Sequence, residues 1–227
     1  MAETTQTGTT VAEVTAELAA LEDPRSREVN ARHGDDHAVN LTKLRALAKR
    51  LKTDQDLARG LWETGDSAAR LLALLISRPK AFGRDELDAM LREARTPKVH
   101  DWLVNYVVKK SPHAEELRLA WSADPDPVVA SAGWALTTER VAKQPEGLDL
   151  PRLLDTVEAE MKGAPDRLQW AMNHCLAQIG IEHPEHRAHA IAIGERLEVL
   201  KDYPTTPGCT SPYAPTWITE MVHRRTP

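Results

Sequence analysis

Apolar residues recur every three or four positions along most of this chain. Leu41, Leu44, Ala48 and Leu51 follow that spacing, which places side chains on one face of an α-helix. The alternating runs of Val, Ile and Thr that mark β-strands are missing from the sequence. The pattern therefore predicts an all-α fold.

Helix starts are marked by acidic capping residues and by proline. Asp66 precedes "SAARLLALLISR", and Pro165 and Pro184 each stand near the first turn of an apolar periodic segment, where proline is tolerated. We predict twelve helices, over residues 10–22, 40–52, 54–63, 66–78, 84–93, 97–110, 113–122, 126–142, 150–162, 165–179, 184–198 and 215–224.

The predicted helices are short and joined by links of a few residues, which indicates a repeat. Trp62, Trp102, Trp134 and Trp170 are spaced by 40, 32 and 36 residues, the length of a helix–turn–helix unit in HEAT, armadillo or tetratricopeptide solenoids. The tetratricopeptide pattern of Trp, Leu-Gly and Tyr is not found. We predict an α-solenoid of HEAT-like helix pairs, an α–α superhelix, with an irregular helical domain as the alternative.

Three segments follow from this pattern. They are an N-terminal capping helix with a linker over residues 1–38, a HEAT-like repeat domain over 39–200, and a C-terminal strap with a capping helix over 201–227. Within the first segment, "EDPRSREVNARHGDD" (22–36) is predicted to be a mobile linker. Trp217, Ile218 and Met221 are expected to seal the final repeat, since terminal repeats need such covering.

Charge and composition limit the function. The formal net charge is −5, whereas proteins that neutralise DNA phosphates usually carry a basic excess, so any nucleic-acid site must be a local basic face. No apolar run approaches the roughly 18 residues of a membrane-spanning helix, and the N-terminus lacks the features of a secretory signal. We predict a cytoplasmic monomer without membrane contact.

The cysteines and clustered histidines do not indicate a metal or redox site. Cys175 lies on an apolar helix face and is expected in the core, and Cys209 lacks a basic neighbour that would favour a thiolate. His183, His186 and His189 would spread over about 120° of a helix, wide for one metal ion. Nucleotide-binding glycine motifs are also missing. We expect no metal and no cofactor.

A narrow polar strip interrupts an otherwise apolar helix in "KVHDWLVNYVVKK" (98–110). Lys98, Asp101, Asn105 and Lys109 fall within a sector of about 80°. A helix that is apolar all round is normally buried between neighbours. The strip is therefore the first candidate binding or catalytic surface.

Aromatic residues supply further candidates. Trp134, beside Thr138, and Trp170, beside Asn173, are predicted to point away from the core faces of their helices, and Trp102 lies at the edge of its apolar face. Exposed aromatic rings can hold a base or a cation by stacking. Packing of a solenoid helix on two sides is the alternative explanation.

Basic residues on one early helix complete the candidate surface. Arg45, Lys49 and Lys52 fall within about 60° of the predicted helix over 40–52. A solvated face is the alternative, which only convergence of these residues with the other candidates would exclude.

Several stretches resemble a known family. "VNLTKLRALAKRLKTDQDLARGLWETGDSAARLLALLISRP", "VHDWLVNYVV", the Trp134 helix and "LQWAMNHCLAQIG" resemble, in this order, the alkylpurine DNA glycosylases built from HEAT-like repeats, the AlkD-like DNA alkylation repair proteins. The resemblance covers about residues 38–200. It implies a C-shaped solenoid whose positively charged concave face grips duplex DNA. In active members, an Asp four residues after a Trp assists departure of an N3- or N7-alkylated purine, and a further Trp and Arg residues hold the backbone.

This chain differs from the family pattern at the positions that carry the chemistry in active members. Four residues after Trp102 stands Tyr106; in the alignment that we prefer, Asn105 replaces the carboxylate and Asp101 stands at the Trp position. Thr138 (or its neighbour Thr137) and Asn173 stand where Arg is expected. Trp170 matches outright.

Three hypotheses follow. The first is an alkylation-repair-like protein that binds duplex DNA through Arg45, Lys49, Lys52, Trp102, Asn105, Lys109, Trp134, Thr138, Trp170 and Asn173. The second is a protein–protein interaction solenoid without enzymatic activity, with a protein partner. The third is a metal-free glycosylase that uses Asp101 as its carboxylate.

Overall fold

The computed structural model describes residues 9–225 and is built from α-helices. Residues 1–8, in the predicted 1–38 segment, and 226–227, in the predicted 201–227 segment, lie outside the described residues. The α-helices are α1 (Val11–Ala20), α2 (Pro24–Ala31), α3 (Leu41–Leu51), α4 (Gln55–Glu63), α5 (Ser67–Ile76), α6 (Arg84–Glu93), α7 (Pro97–Trp102), α8 (Ala114–Ser122), α9 (Pro127–Lys143), α10 (Leu150–Glu160), α11 (Asp166–Glu182), α12 (Pro184–Leu197) and α13 (Ala214–Arg225).

The all-α prediction is confirmed. Over residues 9–225 the backbone forms no strand beyond one isolated antiparallel bridge between Glu22 and Val39, and no helix in this range is long and apolar enough to cross a membrane. The chain forms two compact units that divide between His113 and Ala114. We call them the N-terminal and the C-terminal unit.

The segment over residues 22–36, predicted to be a linker, contains helix α2. Asp23 caps this helix by accepting the backbone N–H of Ser26, and Pro24 occupies its first turn. None of its residues is buried, so it has no apolar periodicity by which it could be recognised. Residues 24–31 of the predicted linker are therefore helical.

The loop after α2 is fixed to the start of α7. The carboxylate of Asp35, which is buried, accepts the backbone N–H of Lys98 at 2.8 Å and lies 3.5 Å from the Lys98 ammonium. Thr96, the residue at the N-cap of α7, makes no capping hydrogen bond with its side chain. Asp35 therefore supplies a cap from a distant part of the chain and fixes the helix that carries the polar strip.

The predicted helix over 97–110 changes its winding in the middle. After α7 comes a π-helical turn, Leu103–Val107, and then a 3₁₀ turn, Val108–Lys110. The N–H of Val108 donates to the carbonyl of Leu103, five residues earlier. Val104 and Val108, which a regular helix would place beside the polar strip, are both buried. A single regular helix was therefore the wrong prediction here; π-helical turns are rare and are frequent at functional sites.

In the C-terminal unit, α9 packs against both α8 and α11. Gly133 allows the close approach of α8, because a Cβ at this position would lie 2.3 Å from the backbone nitrogen of Ser122. At the other end of the unit, α13 covers α11 and α12. Ile218 is fully buried there, with Trp217 and Met221 packed against the same core.

Candidate nucleic-acid interface

Basic residues lie on the N-terminal unit along α3 and at its C-cap, where Lys52 has a φ of 61° and leaves the predicted helical sector. Arg45, Lys49 and Lys52 are all exposed, and the described part of the chain shows no ion pair that involves any of the three. The Arg45 guanidinium lies 4.9 Å from the ring centroid of Trp102. The contact brings α3 and α7 together and places Arg45 beside one of the other candidates.

Trp102 belongs to a row of alternating cations and aromatic rings, Arg45, Trp102, Tyr106 and Lys110, which we call the cation–aromatic ladder. Arg45 covers its ring, Tyr106 meets it edge-to-face at 5.1 Å, and the Lys110 ammonium lies 5.8 Å from the Tyr106 ring. Trp102 itself is only 9% exposed. The ring is therefore largely covered, although Trp102 was predicted among the DNA-binding residues, and the cations over the two rings form the accessible surface.

The polar strip reaches the surface as predicted. Asp101 and Asn105 are exposed and Lys109 is half-buried. The Asp101 side chain is 58% exposed, and its Oδ1 lies 3.4 Å from Nδ1 of His100. Asn105 lies in the π-helical turn and carries a neutral amide. The strip thus presents one carboxylate and one amide beside the cation–aromatic ladder.

Two other arginines of the N-terminal unit are engaged within the protein. Arg70 stacks at 4.7 Å on the ring of Trp62 and donates to the carbonyl of Glu93 at 2.8 Å. Arg59 donates to the Glu86 carboxylate at 2.9 Å and lowers the pKa of that carboxyl. These side chains line a cavity of about 700 Å³. Their cations neutralise carboxylates of the same cavity and are not available to phosphates without breaking those contacts.

Trp134 and Thr138 lie in the interior of the C-terminal unit. Trp134 is a member of the core cluster, and the Thr138 hydroxyl donates to the Trp134 carbonyl at 2.9 Å. The predicted outward orientation is wrong for both residues, because α9 has two buried faces. Neither side chain lies where DNA would touch it.

Asn173 also points inward, and its role is to hold the C-terminal strap. Its side chain is buried, and Nδ2 donates to the carbonyl of Pro212 at 2.9 Å. The expectation that Asn173 faces a groove is therefore wrong. The bond joins α11 to the segment before α13.

Trp170 is exposed, as predicted, and stands at the edge of a cavity. It is 37% exposed and meets the ring of Tyr203 edge-to-face at 5.1 Å. A cavity of about 370 Å³ lies between these rings, the strap and Trp217. The sequence did not indicate that Tyr203 and Trp217 belong to this surface. Tyr203 lies in a segment without helical periodicity, and Trp217 was expected only to cover the final repeat.

Cys175 lies in the core, as the sequence predicted, whereas His183 is bonded within the protein. Cys175 is fully buried, which raises the pKa of its thiol to about 12. His183 forms a 3.1 Å hydrogen bond between Nε2 and the carbonyl of Val141. Over residues 9–225, no three His, Cys, Asp or Glu side chains come close enough together to hold a metal ion.

Comparison with known proteins gives a family and a fold. A family model described as DNA alkylation repair enzyme matches residues 14–218. A solved structure described as "a new family of proteins related to the HEAT-like repeat DNA glycosylases with affinity for branched DNA structures" has a TM-score of 0.75, 23% identity, and covers 95% of each chain. This likeness confirms the HEAT-like repeat fold. A search of curated proteins gives no match.

Proposed function

Because this chain belongs to the DNA alkylation repair enzyme family, we propose that it binds DNA and prefers branched DNA to a linear duplex. The preference is suggested by the structural neighbour, which is described as having affinity for branched DNA. The proposal concerns recognition of DNA structure. Removal of an alkylated base is a separate question, which depends on the polar strip.

The basic face of α3 is the observation that carries the proposal. Arg45, Lys49 and Lys52 are exposed, and the described residues show no carboxylate paired with them. Unpaired cations release counterions from DNA when they meet phosphates, and this term supplies most of the affinity for DNA of any sequence. Arg45 also anchors this face to the ladder beside the strip.

The polar strip favours binding over base removal. A carboxylate stabilises the sugar cation that develops as an alkylated purine leaves, and a neutral amide at Asn105 does not. Asp101 is the carboxylate of the strip, but its side chain is 58% exposed. Water weakens the interaction between exposed charges, so Asp101 is a poor substitute.

Binding of the full chain to a four-way junction and to a linear duplex of equal length tests the proposal. We expect fluorescence anisotropy to show affinity in the micromolar range or tighter, stronger for the junction and weakened by salt. No salt-sensitive affinity for either DNA at micromolar protein would overturn the proposal. A stoichiometric protein partner recovered without nucleic acid would favour the interaction solenoid instead.

An assay of base release by the same protein tests for glycosylase activity. We expect no release of 7-methylguanine from methylated DNA. Release that is lost on Asp101→Asn would assign excision to Asp101 and would contradict the argument from its exposure.

A further inference from the structure

The cavity beneath the C-terminal strap is a second candidate site, separate from the α3 face. We call it the strap pocket. It is lined by the rings of Trp170, Tyr203 and Trp217 and by strap residues that include Thr206, Cys209 and Ser211. The function proposed above makes no use of these groups.

The walls of the strap pocket are held by specific contacts. Asn173 binds the Pro212 carbonyl at 2.9 Å, and the Ser211 hydroxyl accepts the backbone N–H of Tyr213 at 3.2 Å. On the far wall, the ring of His174 stacks on Trp217, with 5.0 Å between ring centroids and 20° between the planes. The aromatic rings are thus placed before any ligand arrives, which lowers the entropic cost of binding.

The chemistry of the lining excludes anionic ligands from the interior. All the lining residues are aromatic, hydroxyl-bearing, proline or cysteine, and none carries a charge. A phosphate placed there would lose its water without gaining a counter-charge. An uncharged aromatic ring with polar edges suits the site, because it can stack on Trp170 or Tyr203 and form hydrogen bonds with threonine and serine hydroxyls.

The size of the pocket indicates one ring system. Pockets for drug-sized ligands span about 300–1,000 Å³, and the strap pocket, at about 370 Å³, lies near the lower end. A proline-rich peptide needs an extended aromatic groove. The strap places prolines of its own, Pro204 and Pro212, along the wall, which leaves no extended groove for such a peptide.

We propose that the strap pocket receives one unpaired nucleobase of branched DNA, stacked on the ring of Trp170. This inference rests on the proposed function and deepens it. In a linear duplex each base is paired and stacked, whereas a branch point or flap offers bases that can leave the stack at small cost. A base held in the pocket therefore gives a physical reason for a preference for branched DNA.

A flap duplex with 2-aminopurine as its unpaired nucleotide tests the inference, because stacking quenches the fluorescence of this base. We expect quenching when the full chain binds. Trp170→Ala should abolish the quenching and weaken flap binding by about 5- to 150-fold, the range for loss of one base–aromatic stack. Trp170→Phe should restore most of the quenching. Leu119→Ala, an exposed apolar residue of the same unit, is the matched control.

The outcomes separate the two proposals. Normal DNA binding without quenching, or with Trp170→Ala indistinguishable from the parent protein, would overturn the pocket and leave DNA binding intact. If neither blunt duplex nor flap binds, the proposed function and the pocket both fail. If a polyproline peptide quenches the intrinsic tryptophan fluorescence and the flap does not, the pocket binds a protein segment. Tyr203→Ala provides a second variant, and circular dichroism checks that each variant is folded.

Discussion

Replacement of Arg45, Lys49 and Lys52 together by glutamine should flatten the salt dependence of DNA binding. All three side chains are exposed, and no ion pair within residues 9–225 competes for them. Arg45 and Lys49 lie within α3, where glutamine has nearly the helix propensity of lysine and arginine, and Lys52 follows the helix at its C-cap, so α3 should keep its fold. The substitution therefore removes three charges from the proposed interface and leaves its shape.

The size of the effect follows from counterion release. Each phosphate neutralised on a duplex contributes about −0.9 to the slope of log affinity against log salt concentration, so three contacts contribute about −2.7. Between about 50 and 200 mM salt, the affinity of the parent protein should then fall about 40-fold more than that of the triple variant.

Fluorescence anisotropy titrations at four or five salt concentrations measure both slopes. The matched control replaces Arg27, Arg32 and Arg50 by glutamine. It removes the same charge from the same unit, but these arginines are already paired with carboxylates of Glu22, Glu28 and Glu17. We expect the control to keep nearly the parent slope. Equal slopes for the two triple variants would show that total charge, and not the α3 face, governs binding, and would refute the reasoning.

Two further predictions concern the core. Gly133→Ala should lower the free energy of unfolding by about 1–3 kcal/mol, because the new Cβ would lie 2.3 Å from the backbone nitrogen of Ser122 in α8. The control is Gly163→Ala, whose Cβ would meet nothing within 4 Å. Equal urea midpoints for the two variants would contradict the prediction. At about pH 8, a thiol reagent should modify Cys209 in the native protein and Cys175 only in denaturant, because burial raises the pKa of Cys175 to about 12. Rapid native reaction of both thiols would count against this.

The helices could be predicted because they bury apolar stripes, and the exceptions lack that signal. The predicted start of α6 coincides with the observed first residue, Arg84. Helix α2 buries nothing, so only its cap, Asp23 followed by Pro24, could have revealed it. The π-helical turn after α7 was missed because a period of 3.6 fits the same apolar residues almost as well.

The orientation of side chains was harder to predict than the helices. Trp134 and Trp170 have the same relation to their own helix faces in the sequence, but one is buried and the other is exposed. The difference comes from neighbours that are distant in sequence. Trp134 packs into the core that α9 shares with α10 to α13, whereas the strap that is bound to Asn173 leaves Trp170 at the edge of a cavity.

The net charge of −5 weighs less against DNA binding once the carboxylates are located. Several lie at N-caps, where they accept backbone N–H groups and face the positive end of a helix dipole: Asp23, Asp54, Asp66, Asp126 and Asp149. Others hold arginines, as Glu86 and Glu182 do, and the pKa of each is lowered by its arginine partner. At physiological salt, charges are screened beyond about 8 Å. If DNA binds at α3 as proposed, its affinity therefore depends on the unpaired cations beside it more than on the net charge of the whole chain.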